Sequence, residues 1–190
     1  MKNILLILML LTLISSAPVN KKGKWIIGSG SQLRIHGKTN VNTFTCAIPP
    51  YSRVDTLHYR IDSNRMMFEK NVMIIPISDF NCGNNMITKD LRRSVKADQH
   101  PDLYITFISV NKDAVDGYVI AKMEIQLAGV SRQIEVKFSF HESEDSIQLN
   151  GTREISFNDF GLVSPKHLMG IVKVQQQMSV EFTLFIQCIS

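Results

Sequence analysis

The chain reads as all-β with one main helix, and as a closed antiparallel barrel in preference to a two-sheet sandwich. Three observations carry this reading. Apolar and polar residues alternate with a period of two through most of the chain beyond Trp25. One segment, 84–97, instead spaces its apolar residues at helical intervals. Several alternating runs (115–127, 132–141, 172–187) reach ten residues or more, which suits tilted barrel strands better than short sandwich strands.

The first residues stand apart from the fold. Lys2, the apolar run 4–14 and the small residues Ser15-Ser16-Ala17 have the layout of a secretory signal peptide over residues 1–17. The run is short for a bilayer span, and an uncleaved anchor is the competing reading. Export to the periplasm or outside the cell is the expectation, with one domain over 24–190.

Strands are expected near 24–28, 32–47, 55–62 and 66–77. The helix over Asn84–Ala97 carries Ile87, Leu91 and Val95 at i, i+4 and i+8, and His100-Pro101 ends it. Strands follow over 102–110 and 115–127, where Val119, Ala121, Met123, Ile125 and Leu127 share one face. Ala128-Gly129-Val130-Ser131 turns this strand into 132–141, with Ile134, Val136, Phe138 and Phe140 on one face. A strand over 145–157, a weak helical turn near Ser164–Gly170 and a long strand over 172–187 complete the chain.

Composition narrows the function. The 190 residues are 44% hydrophobic and 20% charged, which excludes a disordered or collagen-like chain. Twenty-one basic against 17 acidic residues is too mild an excess to argue for nucleic acid. No G-x-S-x-G, Walker A or H-E-x-x-H motif is present, and the five histidines lack ligand spacing. The expectation is a binding protein, not an enzyme, with no catalytic residues, metal or cofactor.

Several phrases converge on one family. Ser31–Cys46 (SQLRIHGKTNVNTFTC), Asp79–Gly83 (DFNCG) followed by Asp90-Leu91, Leu127–Arg132 (LAGVSR) and Ile155–Pro165 (ISFNDFGLVSP) resemble, in order, the phrases of YceI-like proteins. The resemblance runs from about Trp25 to Ile186. It implies an eight-stranded, lipocalin-like antiparallel barrel holding a long amphiphile: a polyisoprenoid, an isoprenoid quinone or a fatty acyl chain. Carriage or storage of such a lipid is the implied role; a non-catalytic structural or interaction barrel with a filled core is the alternative.

The inward parity set would line either version of the barrel: Met123, Ile125, Val136, Phe138 and Leu149, then Phe157, Met178, Val180 and Phe182. Methionine adapts its shape to a variable tail. Two polar residues share this parity. Arg153, if inward, is an anchor for a phosphate or carboxylate head group; a bulge near Gly151 would instead expose it. Gln176 could hydrogen-bond a quinone carbonyl or lie exposed at the mouth. Cys46 and Cys82 fall inside the family-like phrases and are the expected disulfide, and Cys188 reads as a small buried hydrophobe, with an intermolecular bridge as the alternative. Lys89, Arg92, Arg93 and Lys96 on the helix form either a solvated face or a transient contact with an anionic membrane surface. The sequence does not fix the oligomeric state.

Overall fold

The computed structural model describes residues 21–69, 71–111, 117–144, 146–167 and 171–189, so residues 1–17, the expected signal peptide, lie outside the described residues. Strands β1 (Lys22–Ile27), β2 (Gln32–Lys38), β3 (Thr43–Ala47), β4 (Asp55–Asp62), β5 (Arg65–Phe68) and β6 (Val72–Pro76) come first. Helix α1 (Asn85–Ser94) is followed by β7 (Asp102–Asn111), β8 (Tyr118–Leu127), β9 (Val130–Ser143) and β10 (Ser146–Ser156). Two short strands, β11 (Lys166–His167) and β12 (Val172–Lys173), precede the long β13 (Gln177–Ile189).

The strands close into an eight-stave antiparallel barrel. Three staves are broken strands. β1 and β2 run end to end along β13, β4 and β3 lie beside them, and β5 and β6 share β7 as their neighbour. β7 to β10 then follow in sequence, and β13 pairs with β10 to complete the ring.

Two departures from the expected strands have a local cause. The expected strand 32–47 is a hairpin, because the Thr39 hydroxyl accepts the N–H groups of Val41 and Asn42 at 3.1 and 2.9 Å. The expected strand 66–77 is interrupted where the Asn71 N–H bonds the Glu69 carbonyl at 2.6 Å. The β8–β9 hairpin turns on two residues at positive φ, Ala128 and Gly129, which matches the twist of its strands. The helical turn expected near 164–170 is corrected. Lys166 and His167 pair in register with Lys173 and Val172, and 168–170 lie outside the described residues. A 3-10 turn forms earlier, at Phe157–Phe160, where Ser156 and Asp159 make a reciprocal capping box.

Helix α1 begins where the Asn84 side chain accepts the N–H groups of Met86 and Ile87. It lies across the end of the barrel formed by the β2–β3 and β8–β9 turns. The Cys46–Cys82 disulfide ties the chain just before the helix to β3. Beside it, Ala47 and Asn81 exchange two backbone hydrogen bonds of 2.9 Å. The opposite end is plugged by aromatic rings. Phe68 lies 5.0 Å from Trp25, 5.7 Å from Phe107 and 6.0 Å from Tyr59, centroid to centroid. The expectation for Cys188 is corrected: it is exposed, because β13 runs past the core after Ile186.

Candidate functional site

Between the aromatic plug and the helix the barrel keeps open space, and its walls follow from the strand parity. A chamber of about 70 Å³ lies under α1, and every residue around it is apolar. β2 supplies Leu33 and Ile35, β7 supplies Leu103 and Ile105, and β13 supplies Met178, Val180 and Phe182. Leu91 of the helix and Val95 at its C-terminal cap roof it. These are two members of the stripe that the sequence placed on one helical face.

Two further spaces adjoin the chamber and share lining residues with it. Outward, Leu91 and Met178 also line a groove of about 300 Å³ between α1, the β2–β3 turn and Val172–Val174. Val41, Phe44, Met86 and Ile87 form much of that groove, with Asp90 and Ser94 at its polar edge. Inward, Leu33, Ile105 and Phe182 separate the chamber from a void of about 20 Å³ beside Met123 and Tyr51. The three spaces thus lie in series from the surface toward the plug. Leu91 and Met178 line both the groove and the chamber and stand between them.

The innermost void has a polar edge. The buried Tyr51 hydroxyl donates to Asp55, and burial together with that hydrogen bond pushes the phenol well above its ordinary pKa. Ser31, also buried, donates to the Gly28 carbonyl at 3.0 Å and accepts the Phe185 N–H at 3.0 Å. Both residues are engaged with the protein itself.

The sequence-selected residues fall into three groups. Ile125, Met178, Val180 and Phe182 line the chamber, Met123 the inner void, and Phe157 the outer groove. Val136, Phe138 and Leu149 are buried but belong to solid core. Phe138 packs edge-on against Phe182 at 6.2 Å and covers Gly151, where an added Cβ would lie 2.6 Å from its ring. Arg153 and Gln176 are exposed, so neither projects into the cavity.

Arg153 shows why parity misleads at one place. No bulge intervenes: β10 pairs with β13 without a break from Ile147 to Ser156. The neighbour on the other side is what ends, since β9 pairing stops at Phe138–Gly151. Beyond that point the inner face of β10 meets a gap in the wall, and Arg153 reaches solvent. Gln176 sits in the break before β13, where its backbone carbonyl accepts the Phe157 N–H at 3.0 Å. The walls supplied by β2, β6 and β7 are absent from the selected set. The alternation of Leu103, Ile105 and Phe107 with Tyr104 and Thr106 was the available signal.

Known proteins share this architecture. BcnA of Burkholderia cenocepacia superposes with a TM-score of 0.64 at 14% identity, covering 82% of this chain and 95% of that one. A polyisoprenoid-binding domain from Saccharophagus degradans, implicated in plant cell wall breakdown, gives 0.56 at 16% identity over 86% and 97% of the two chains. The YceI protein of Campylobacter jejuni gives 0.52 at 17% identity over 62% and 71%. A search of curated proteins finds no match. The profile of the YceI-like domain matches residues 51–186, most of the barrel. With the closed eight-stave ring and its helix-roofed chamber, that match makes the chain a member of the YceI-like family.

Proposed function

We propose that the protein is an exported lipid-binding barrel, not an enzyme, that holds the tail of an extended amphiphile for carriage or storage. The observation that carries this reading is the series of cavities running from a surface groove past Leu91 and Met178 into an all-apolar chamber. Burying apolar chain there is worth about 25 cal/mol per Å², so a tail binds without a specific polar partner. A polyisoprenoid, an isoprenoid quinone or a fatty acyl chain has the required chemistry. The structural similarity to a polyisoprenoid-binding domain supports the same class. Export is supported by the signal-like segment 1–17 and by the Cys46–Cys82 bridge, which suits an oxidising compartment.

The chamber is small for a long chain, so binding requires Leu91 and Met178, between groove and chamber, to yield as a gate. Met178 suits that task because its unbranched thioether repacks easily. Below the chamber Met123, Phe107 and the aromatic plug fill the barrel. That packing favours the alternative, a filled interaction barrel, for its lower half. Organic extraction of protein purified from its native host, followed by lipid mass spectrometry, separates the two. A co-purifying amphiphile that Met178→Trp excludes is the expected result. A lipid-free extract, with no uptake of added lipid by the wild type, would overturn the proposal.

A further inference from the structure

The outer groove opens on a surface with an unusual distribution of side chains. Four of the most exposed large hydrophobic residues are Val163, Ile171, Met86 and Val41, each 65–73% exposed. Elsewhere among the described residues, Val54 apart, exposed large hydrophobics stay at 44% or below. All four surround the mouth. Val41 and Met86 line the groove, and the Asn40 side-chain amide donates to the Ile171 carbonyl at 2.9 Å. Val163 borders a shelf that shares Asp90, Ser94 and Pro165 with the groove.

Cations stand between these apolar tips. Met86, Lys89 and Arg93 follow one another at i, i+3 and i+7 along an outer ridge of α1, with Lys96 just beyond it. Across the groove Lys38 and Lys173 are exposed at the ends of β2 and β12. Four acids lie in this region: Asp79 and Asp159 are exposed, and Asp159 accepts the Ser156 N–H at 2.8 Å. Asp90 is buried with Arg93 at 3.8 Å, and Asp98 lies beyond the helix. Arg92 is committed to the Ser78 carbonyl at 2.7 Å.

We propose that this rim is a docking face for an anionic lipid bilayer. The proposal rests on the lipid-binding reading only for its purpose, which is to let a tail pass from membrane to chamber without crossing water. Separated apolar tips fit between lipid head groups, and the interspersed cations meet their phosphates. A flat protein partner would instead call for a continuous apolar patch with a polar rim.

Sedimentation with vesicles tests it. The full exported chain should bind vesicles of equal parts phosphatidylcholine and phosphatidylglycerol, bind phosphatidylcholine alone far less, and release in high salt. Each near-surface cation is worth about fivefold in affinity, so Lys89→Glu with Lys173→Glu should lose about 25-fold or more. Arg60→Glu with Arg65→Glu, the same charge change at the plugged end, should leave binding unchanged. Val163→Ser with Ile171→Ser should also lose affinity, through the apolar tips. Equal binding to neutral vesicles, no binding to either, or equal losses from both charge pairs would overturn the docking face. Uptake of a fluorescent fatty chain from detergent, with no vesicle present, reads the chamber separately. If uptake fails while vesicle binding holds, the lipid-binding reading falls and docking stands.

Discussion

Reducing the Cys46–Cys82 bridge should weaken the fold by about 3–4 kcal/mol, and the structure says where. The bridge spans 36 residues of sequence separation, and the loop-entropy relation gives that range for such a closure. For a barrel of this size the melting temperature should fall by about 10 °C, at 2–4 °C per kcal/mol. Two controls separate the crosslink from its sulfurs. Reduced wild type keeps both buried side chains, whereas Cys46→Ala with Cys82→Ala also removes them and should lose about 1–2 kcal/mol more. Urea titration of the oxidised, reduced and double-alanine proteins gives all three stabilities. The reduced form should also show faster amide exchange in α1, because the covalent tie of the helix start to β3 is then gone and the Ala47–Asn81 bonds remain beside it. A loss below about 1 kcal/mol on reduction, or unchanged exchange in α1, would refute the assignment of the bridge as the clamp of the roof.

Other perturbations have equally definite outcomes. Met178→Trp should abolish lipid uptake with little change in far-ultraviolet dichroism, since the ring occupies the gate shared by groove and chamber. Asn84→Ala removes the helix cap and should destabilise by about 1 kcal/mol in urea titration. Gly151→Ala should lose about 1–3 kcal/mol, because its Cβ would press into the Phe138 ring at 2.6 Å and Val136 at 2.9 Å. Stability should also decline at high pH. Burial raises the folded pKa of Tyr51 and Tyr59, so the unfolded chain ionises first; this contribution is intact below about pH 10 and fades as pH climbs. Urea midpoints measured across that range, with Tyr51→Phe flattening the decline, check it.

Strand identity was legible in several staves, although 32–47 was read as one strand where the Thr39 turn makes two. The segment 55–62 emerges as read, and Met123, Val136 and Phe138 face inward as their parity requires. Failures cluster where pairing ends. Arg153 follows the inner parity of a strand whose neighbour has stopped, and no local pattern announces that departure. Cys188 continues the parity of β13 past the end of the core. Gln176 lies in a break of the alternating run, set by the Phe157 backbone contact from another part of the chain. The helix stripe was visible, but its meaning was tertiary. Leu91 is an amphipathic core position in one dimension and the boundary between groove and chamber in three. Lining residues from β2, β6 and β7 were equally alternating, and only closure of the ring shows which staves surround the empty half of the barrel.

Trp25 is the single tryptophan of the chain, and it is buried in the aromatic plug, at the far end from the mouth. Its intrinsic emission therefore comes from one known depth. Unfolding must shift that emission to the red as the indole meets water. Docking at the mouth should leave it untouched. A tail that stops in the chamber should barely perturb it, while one long enough to press through to the plug should change its intensity. A series of ligands of increasing length, titrated against this one fluorophore, becomes a dipstick for how far down the barrel each chain travels.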